Sequence, residues 1–369
     1  MSNTGAPRII ISGGGTGGHV FPAIAIADAI KAKVPGVEIL FVGAQGKIEM
    51  EKVPKAGYPI EGLWISGFQR SLSLRNLLFP VKLVYSLLKA RSIVRKFKPQ
   101  VAVGVGGYAS GPLLEIATRL GIPALIQEQN SYAGVTNKLL SKKVQKVCVA
   151  YSGMEKFFPA EKIVLTGNPV RRAVAQASDP AAARIHFGLK ADMPTLLIFG
   201  GSLGALSINE AMAQNTDFWQ SNAGIQVVWQ CGGSHFEKYQ NCATAQLSNV
   251  KLLAFIDRMD LAYAAADVVC SRAGALTISE LCLVGKPAIL VPSPFVAEDH
   301  QTKNAQALVD KNAAIMVANG ETISQLLPQA LELLQNETKR NTLAQNILAL
   351  AKPNAAEEIA EQVLSLVKF

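Results

Sequence analysis

Apolar residues along this chain come in short runs, and several of the runs lead into glycine-containing loops. The first run is Ile9-Ile10-Ile11, β-branched, too short for a helix and suited to a buried strand. The bare loop "SGGGTGGH" follows it, and from Ala23 the stretch "AIAIADAI" favours a helix with Pro22 in its first turn. The same device recurs at "TLLIFGGSLGALSINEAM", residues 195–212. Further strands are expected at "VEILFVG", "VAVGVGG", "ALIQEQN" and "KVCVAY" in the first half. In the second half they are expected at "IQVVWQCGG", "VKLLAF", "DVVCSRAG" and "PAILVPSP". Strands alternating with helical segments predict parallel sheets. The fold class is therefore α/β, with two doubly wound Rossmann-like domains facing across a cleft. The first is expected over residues 1–167 and the second over 168–352, with Gly167-Asn168-Pro169 as the turn between them. The last helix, within 353–369, is expected to pack back on the first domain.

Ligands of open α/β sheets bind beyond the carboxyl ends of the strands. The informative residues should follow strands, and they do: Gly13 to Gly18, Gly104 to Tyr108, Glu128-Gln129-Asn130, Gly200-Gly201-Ser202 and Ser271 to Gly274. A glycine loop leading into a helix presents free amides and a partial positive charge, which suits a phosphate. Gly13, Gly15 and Gly18 match the dinucleotide fingerprint, but that pattern needs an acid at the end of the second strand. The second strand, residues 37–42, ends in Gly43-Ala44-Gln45, and Glu38 stands at its other end. A Walker A loop fails as well, because Gly285-Lys286 runs into Pro287.

At 369 residues, 49% apolar and 17% charged, the chain has the makings of two well-cored soluble domains. A secretory signal is not expected, nor a membrane-spanning run. Cys148, Cys231, Cys242, Cys270 and Cys282 show no CxxC spacing and read as buried free thiols. The net charge of +9 is unevenly placed: residues 62–114 contain no acid but hold Arg70, Arg75, Lys82, Lys89, Arg91, Arg95, Lys96 and Lys98. Residues 129–154 are acid-free too, with Lys138, Lys142, Lys143 and Lys146 clustered. Such a face suits nucleic acid or acidic lipid headgroups; the alternative is a solvated lysine-rich surface. Arg75, Lys82, Lys89 and Lys96 recur every two helical turns, beside Leu77, Leu78, Phe79 and Val81, with Pro80 starting or kinking the helix. That pattern fits a helix lying on an anionic membrane.

The ordered motifs resemble the MurG glycosyltransferases of peptidoglycan synthesis. "GGGTGGHVFP", "GVGGYASGP", "QEQNSYAGVTNKLL", "TGNPVR", "FGGSLGA", "FIDRM", "SRAGALTISEL" and "EDHQTKNA" fall in the family's order through nearly the whole chain. The resemblance implies the GT-B fold and an inverting transfer of N-acetylglucosamine from UDP-N-acetylglucosamine to lipid I, giving lipid II. Its implied partners are those two substrates, an anionic membrane surface on its cytoplasmic face and other cell-wall synthesis proteins, with no nucleic acid and no cofactor. Two positions depart from the family pattern: Gln127 stands where histidine is common, and Leu203 where glutamine is common.

Carried over motif by motif, Ile256 would offer backbone groups to uracil and Glu280 would bind the ribose hydroxyls. Ala275, Leu276, Thr277, Ile278 and Ser279 belong to the same donor set, the first three facing the diphosphate. Arg171 and Ser202 would add phosphate donors, and Gln301 would hold the sugar. Thr16, Gly17, Gly18 and Asn130 would reach the donor from the first half. Gly14, Gly15, Gly106, Gly107 and Tyr108 form the acceptor set. Three of them have a plainer alternative: Glu280 a solvated helix acid, Ser202 a helix cap, Arg171 a surface residue beside Arg172. His19 ends a phosphate-like loop, and an imidazole pKa of about 6.5 suits proton transfer near neutrality. It is the first candidate for base or acceptor-orienting group, with Glu128 second; the alternative for His19 is a helix-entry hydrogen bond. The chain has no Asp-x-Asp, so no metal is expected, and the leaving group must be met by helix termini and Arg171. Rival readings are a UDP-N-acetylglucosamine epimerase, a diacylglycerol glycosyltransferase of GT-B type and a non-catalytic nucleotide-sugar sensor.

Overall fold

Strands that are apolar on both faces can only sit in the middle of a layered sheet, and Ile9, Ile10 and Ile11 are all fully buried. The computed structural model describes residues 6–66, 78–170, 174, 178–201 and 203–367. In the first half the elements run β1 (Arg8–Ser12), α1 (Gly17–Lys33), β2 (Glu38–Ala44), α2 (Glu49–Lys55), β3 (Ile60–Leu63), α3 (Phe79–Phe97), β4 (Val101–Gly104), α4 (Ser110–Arg119), β5 (Ala124–Glu128), α5 (Val135–Ser141), β6 (Lys146–Val149) and β7 (Ile163–Leu165). The second half runs α6 (Pro180–His186), β8 (Thr195–Phe199), α7 (Leu206–Ala213), α8 (Thr216–Ser221), β9 (Gln226–Gln230), α9 (Gly233–Tyr239), β10 (Val250–Leu253), α10 (Met259–Ala265), β11 (Val268–Ser271), α11 (Ala275–Val284), β12 (Ala288–Leu290), α12 (His300–Val309), β13 (Ile315–Met316), α13 (Thr322–Gln335), α14 (Glu337–Leu348) and α15 (Ala355–Leu364).

Both sheets are parallel, one of seven strands in the order β3-β2-β1-β4-β5-β6-β7 and one of six in the order β10-β9-β8-β11-β12-β13. Each order reverses beside its first strand, between β1 and β4 in one sheet and between β8 and β11 in the other. Glycine loops follow those strands, so they stand where doubly wound sheets bind ligands. Chain contacts divide the molecule into Met1–Arg171 with Asn354–Phe369, and Arg172–Pro353. The two segments of the first unit are joined through α15, whose Ile359, Ala360 and Val363 share a core with Ile26 and Ile30 of α1. Lys33 pairs with Glu361 at 2.8 Å across the same contact.

Periodicity located the other ten strands and missed β3, β7 and β13, which have two to four residues each and stand at sheet edges. Apolar runs as short as Ile-Val-Leu in β7 and Ile-Met in β13 do not separate a strand from a loop. Pro22 lies inside α1 rather than in its first turn, because Gly17 to Phe21 already wind as helix ahead of it. Pro80 does start α3, where its missing N–H costs no helical bond.

Candidate active site

In the first unit two glycine loops are built into one another. Gly106 and Gly107 have φ of +96° and +88°, and a Cβ on Gly107 would lie 2.2 Å from the carbonyl oxygen of Gly14. A Cβ on Gly106 would lie 2.4 Å from Cδ2 of His19. The loop after β4 therefore packs flat against the loop after β1 and against the imidazole. Only glycine permits both the backbone angle and the approach. The other side of the ring system is set by Thr16, whose Oγ1 lies 3.4 Å from Nδ1 of His19. Tyr108, half exposed, stands beside Gly15. Thr16 is the residue before α1 and makes no side-chain cap, so the first-turn amides face outward without an internal acceptor from it. His19 is half-buried among these groups, and the helix-entry bond it makes to the carbonyl of Thr16 comes from its backbone.

Glu128, the second catalytic candidate, ends β5 and is 2% exposed. Both of its oxygens are occupied. Oε1 accepts from the backbone and side-chain amides of Asn130 at 3.1 and 3.2 Å, and Oε2 from Gly134 N–H at 3.0 Å and Asn137 Nδ2 at 2.9 Å. With four donors, the carboxylate shapes the Asn130 loop. Gln127 is fully buried and donates to Asn168 Oδ1 at 2.9 Å, while Gln129 donates to Val105 O at 2.6 Å. Asn168 returns a bond to Gln129 O at 3.0 Å. The departure at Gln127 is thus a neutral amide network that ties the "QEQN" segment to the "TGNP" segment, and an amide cannot exchange a proton in place of histidine.

The second unit repeats the interlock. A Cβ on Gly204 would lie 2.0 Å from the carbonyl oxygen of Cys231, and one on Gly232 would lie 2.6 Å from that of Leu203. Leu203 itself is 77% exposed, so the departure there costs no packing. Ala275, Leu276 and Thr277 form the first turn of α11, which begins at Gly274 without a side-chain cap. Ile278 is buried and Ser279 bonds back to the Ala275 carbonyl at 2.9 Å. Glu280 is not a solvated acid: it is 9% exposed, and the hydroxyl of the buried Tyr263 donates to its Oε2 at 2.9 Å. Ile256 is buried beside a cavity of about 490 Å³ that Leu253, Phe255 and Asp257 also line. Gln301 accepts from Ser293 N–H at 2.8 Å. Just before it, Glu298 and Asp299 hold φ of +57° and +51°, two successive non-glycine residues in the left-handed region. Strain of that kind is held where surrounding structure over-determines it, often at functional sites. Arg171 and Ser202 lie outside the described residues.

Two further side chains, one in each unit, were given no role from the sequence, although Arg272 falls within a singled-out segment. Arg272 donates to Val291 O at 3.1 Å, Pro292 O at 3.2 Å, Asn319 Oδ1 at 2.8 Å and Ser207 Oγ at 3.2 Å. These bonds gather the loops around β11 and β12, and burial brings the guanidinium pKa down to about 10. Glu49 lies beneath the first glycine loop, its oxygens accepting from Gly15 and Ala44. A charged residue in a loop or at a helix start reads as solvated until its neighbours are known.

Profiles of the glycosyltransferase family 28 N-terminal and C-terminal domains match residues 9–149 and 195–363. A protein of Cytophaga hutchinsonii named UDP-N-acetylglucosamine–N-acetylmuramyl-(pentapeptide) pyrophosphoryl-undecaprenol N-acetylglucosamine transferase is 57% identical, over 98% of this chain and 97% of its own length. The chain belongs to the MurG family. A relative of the same name from Bacteroides fragilis is 53% identical over 98% of this chain and 96% of its own. The crystal structure of Acinetobacter baumannii MurG superposes with a TM-score of 0.75 at 30% identity, covering 98% of this chain and 99% of that one. The MurG resemblance carried by the ordered motifs therefore holds along the chain, as does the reading of two Rossmann-like domains. The activity class is that of a hexosyltransferase. A Neisseria meningitidis UDP-GlcNAc 2-epimerase, solved with UDP-GlcNAc bound, reaches a TM-score of 0.69 at 14% identity, a likeness of fold alone.

Proposed function

We propose that the chain transfers N-acetylglucosamine from UDP-N-acetylglucosamine to the C4 hydroxyl of lipid I, inverting the anomeric centre and releasing UDP with lipid II. The observation that carries this reading is that each sheet opens uncapped helix N-termini at its switch point, α1 and α4 in one unit and α7 and α11 in the other. Each unit thus provides for a phosphate-bearing substrate of its own. The first unit is the acceptor unit and the second the donor unit. Gly14, Gly15, Gly106, Gly107 and Tyr108 take the acceptor's pyrophosphate region. Ile256 faces uracil, Glu280 the ribose, the α11 amides with Arg171 and Ser202 the diphosphate, and Gln301 the sugar.

His19 removes the proton of the acceptor hydroxyl as its oxygen bonds to the anomeric carbon, and the bond from that carbon to the β-phosphate oxygen breaks. The charge on departing UDP is met by the α11 terminus, with the cationic Arg272 gathered behind it. Glu128 supports this chemistry by holding Asn130. Incubation with labelled UDP-N-acetylglucosamine and a soluble lipid I analogue should give the disaccharide product and UDP. Turnover of the donor alone to its 2-epimer, with no acceptor product, would overturn the reading.

The acceptor's polyprenyl chain calls for docking at an anionic membrane. The support is α3, whose Val81, Val84, Tyr85 and Leu88 are exposed at helical spacing, with Leu78 exposed just before it. Trp64, also exposed, lies edge-on to Tyr85 at 5.9 Å and carries Lys82 over its ring at 5.5 Å. The basic residues are unequal. Lys82 is held by Ser66 at 3.1 Å and Lys89 by Glu61 at 3.5 Å, while Lys96 is exposed; Arg75 and Leu77 lie outside the described residues. Among the described residues no helix is long and apolar enough to cross a membrane.

A further inference from the structure

We propose that Glu49 is a positioning residue for the acceptor: it occupies one amide of the first glycine loop from below and so fixes which amides are left for the ligand. This rests on the reading of that loop as the acceptor's pyrophosphate site. Glu49 opens α2 and its side chain is 1% exposed. Its Oε2 accepts from Gly15 N–H at 2.8 Å and its Oε1 from Ala44 N–H at 2.9 Å, which ties the loop after β1 to the end of β2. The loop closes over the carboxylate through missing side chains. A Cβ on Gly14 would lie 2.2 Å from the carboxyl carbon, and one on Gly43 would lie 2.5 Å from Cγ. Gly15 holds φ of +88° directly above.

An acid beneath an anion-binding loop is unfavourable by simple Coulomb reasoning, since like charges repel. The geometry gives it a use. Glu49 takes the inward-pointing amide of Gly15, while Thr16 leaves the first turn of α1 without a side-chain cap. The carboxylate acts as a resident anion that holds the turn before the ligand arrives, which lowers the ordering cost of binding. It also opposes a ligand phosphate settling deeper, and so keeps the acceptor at the α1 terminus, beside His19.

Glu49→Gln has one acceptor oxygen and cannot serve both amides; Glu49→Ala serves neither. With the full chain, saturating UDP-N-acetylglucosamine and a varied lipid I analogue, the acceptor KM should rise roughly ten-fold or more in Glu49→Gln, as expected for losing a charge-assisted hydrogen bond. The turnover number should stay within about two-fold, because binding common to ground and transition states is what is lost. UDP affinity by calorimetry should be unchanged. A merely structural role would shrink the folded fraction, lowering kcat and leaving KM alone, and that result would overturn the proposal. So would an unchanged KM in both variants. Tyr108→Asp tests the underlying site, since it places a carboxylate at the loop mouth beside Gly15 without a positive-φ position. If Tyr108→Asp raises the acceptor KM and Glu49→Gln does not, the site stands and the role of Glu49 falls. If Tyr108→Asp leaves that KM unaltered, the acceptor is not bound at this loop.

Discussion

His19 and Glu280 were candidates by motif, each with a plainer structural alternative, and the structure supplies the neighbours on which their roles depend. His19 has a glycine loop against one side of its ring and a threonine hydroxyl at Nδ1, with no bulky group between it and the loop. His19→Ala should cut turnover by about 10²-fold or more, in the range of general-base losses, while UDP affinity by calorimetry is retained. Turnover at the wild-type rate would make the imidazole structural. Glu280 has one oxygen engaged by Tyr263 at the buried edge of α11. Glu280→Ala should weaken UDP-N-acetylglucosamine binding by roughly 1.5–3 kcal/mol, the worth of a charged hydrogen bond. An unaltered dissociation constant would remove it from the donor site. Glu128 differs from both, since four donors fill its carboxylate. Sequence could place it after a strand but could not show that its lone pairs were taken.

Helix α3 turns a sequence pattern into a surface. Its buried residues, Ser86, Ala90, Ile93 and Val94, form one face, and the exposed apolar residues form the other. The seven-residue basic spacing pointed to the helix, but it missed Val84, Tyr85 and Leu88, which look like core positions in a linear reading. Only the packing of α3 on its sheet assigns them to solvent. Val84→Ser with Leu88→Ser should leave melting temperature nearly unchanged, because both residues are already exposed. Co-sedimentation with anionic vesicles should fall in that variant and weaken with salt, each nearby cation contributing about 1 kcal/mol. Equal binding to neutral vesicles, or no effect of the double change, would remove α3 from the membrane.

At the scale of the whole chain, two properties are open to direct measurement. No Asp-x-Asp occurs in the sequence, so turnover should persist in excess chelator; activity lost and then restored by magnesium would refute the metal-free account of the leaving group. Burial raises the thiols of Cys148, Cys270 and Cys282 to about 12, so at pH 8 they carry almost no thiolate. A thiol reagent at that pH should label fewer than the five cysteines of the native protein and all five after denaturation. Rapid labelling of all five in the native state would contradict the burial. The sequence by itself determined the alternation of strands and helices, the two sheets, the glycine loops and their order. Those signals are local: β-branched runs, glycine where φ is positive, and a helix pattern after each loop. Tertiary structure alone decided what the loops close upon. Gly14 needs no side chain because Glu49 lies beneath it, and Gly106 because His19 lies beside it. Gln127 is a tether because Asn168 comes back to it from 41 positions away. Each of these contacts joins segments far apart in the chain, and no local pattern encodes the identity of a distant neighbour.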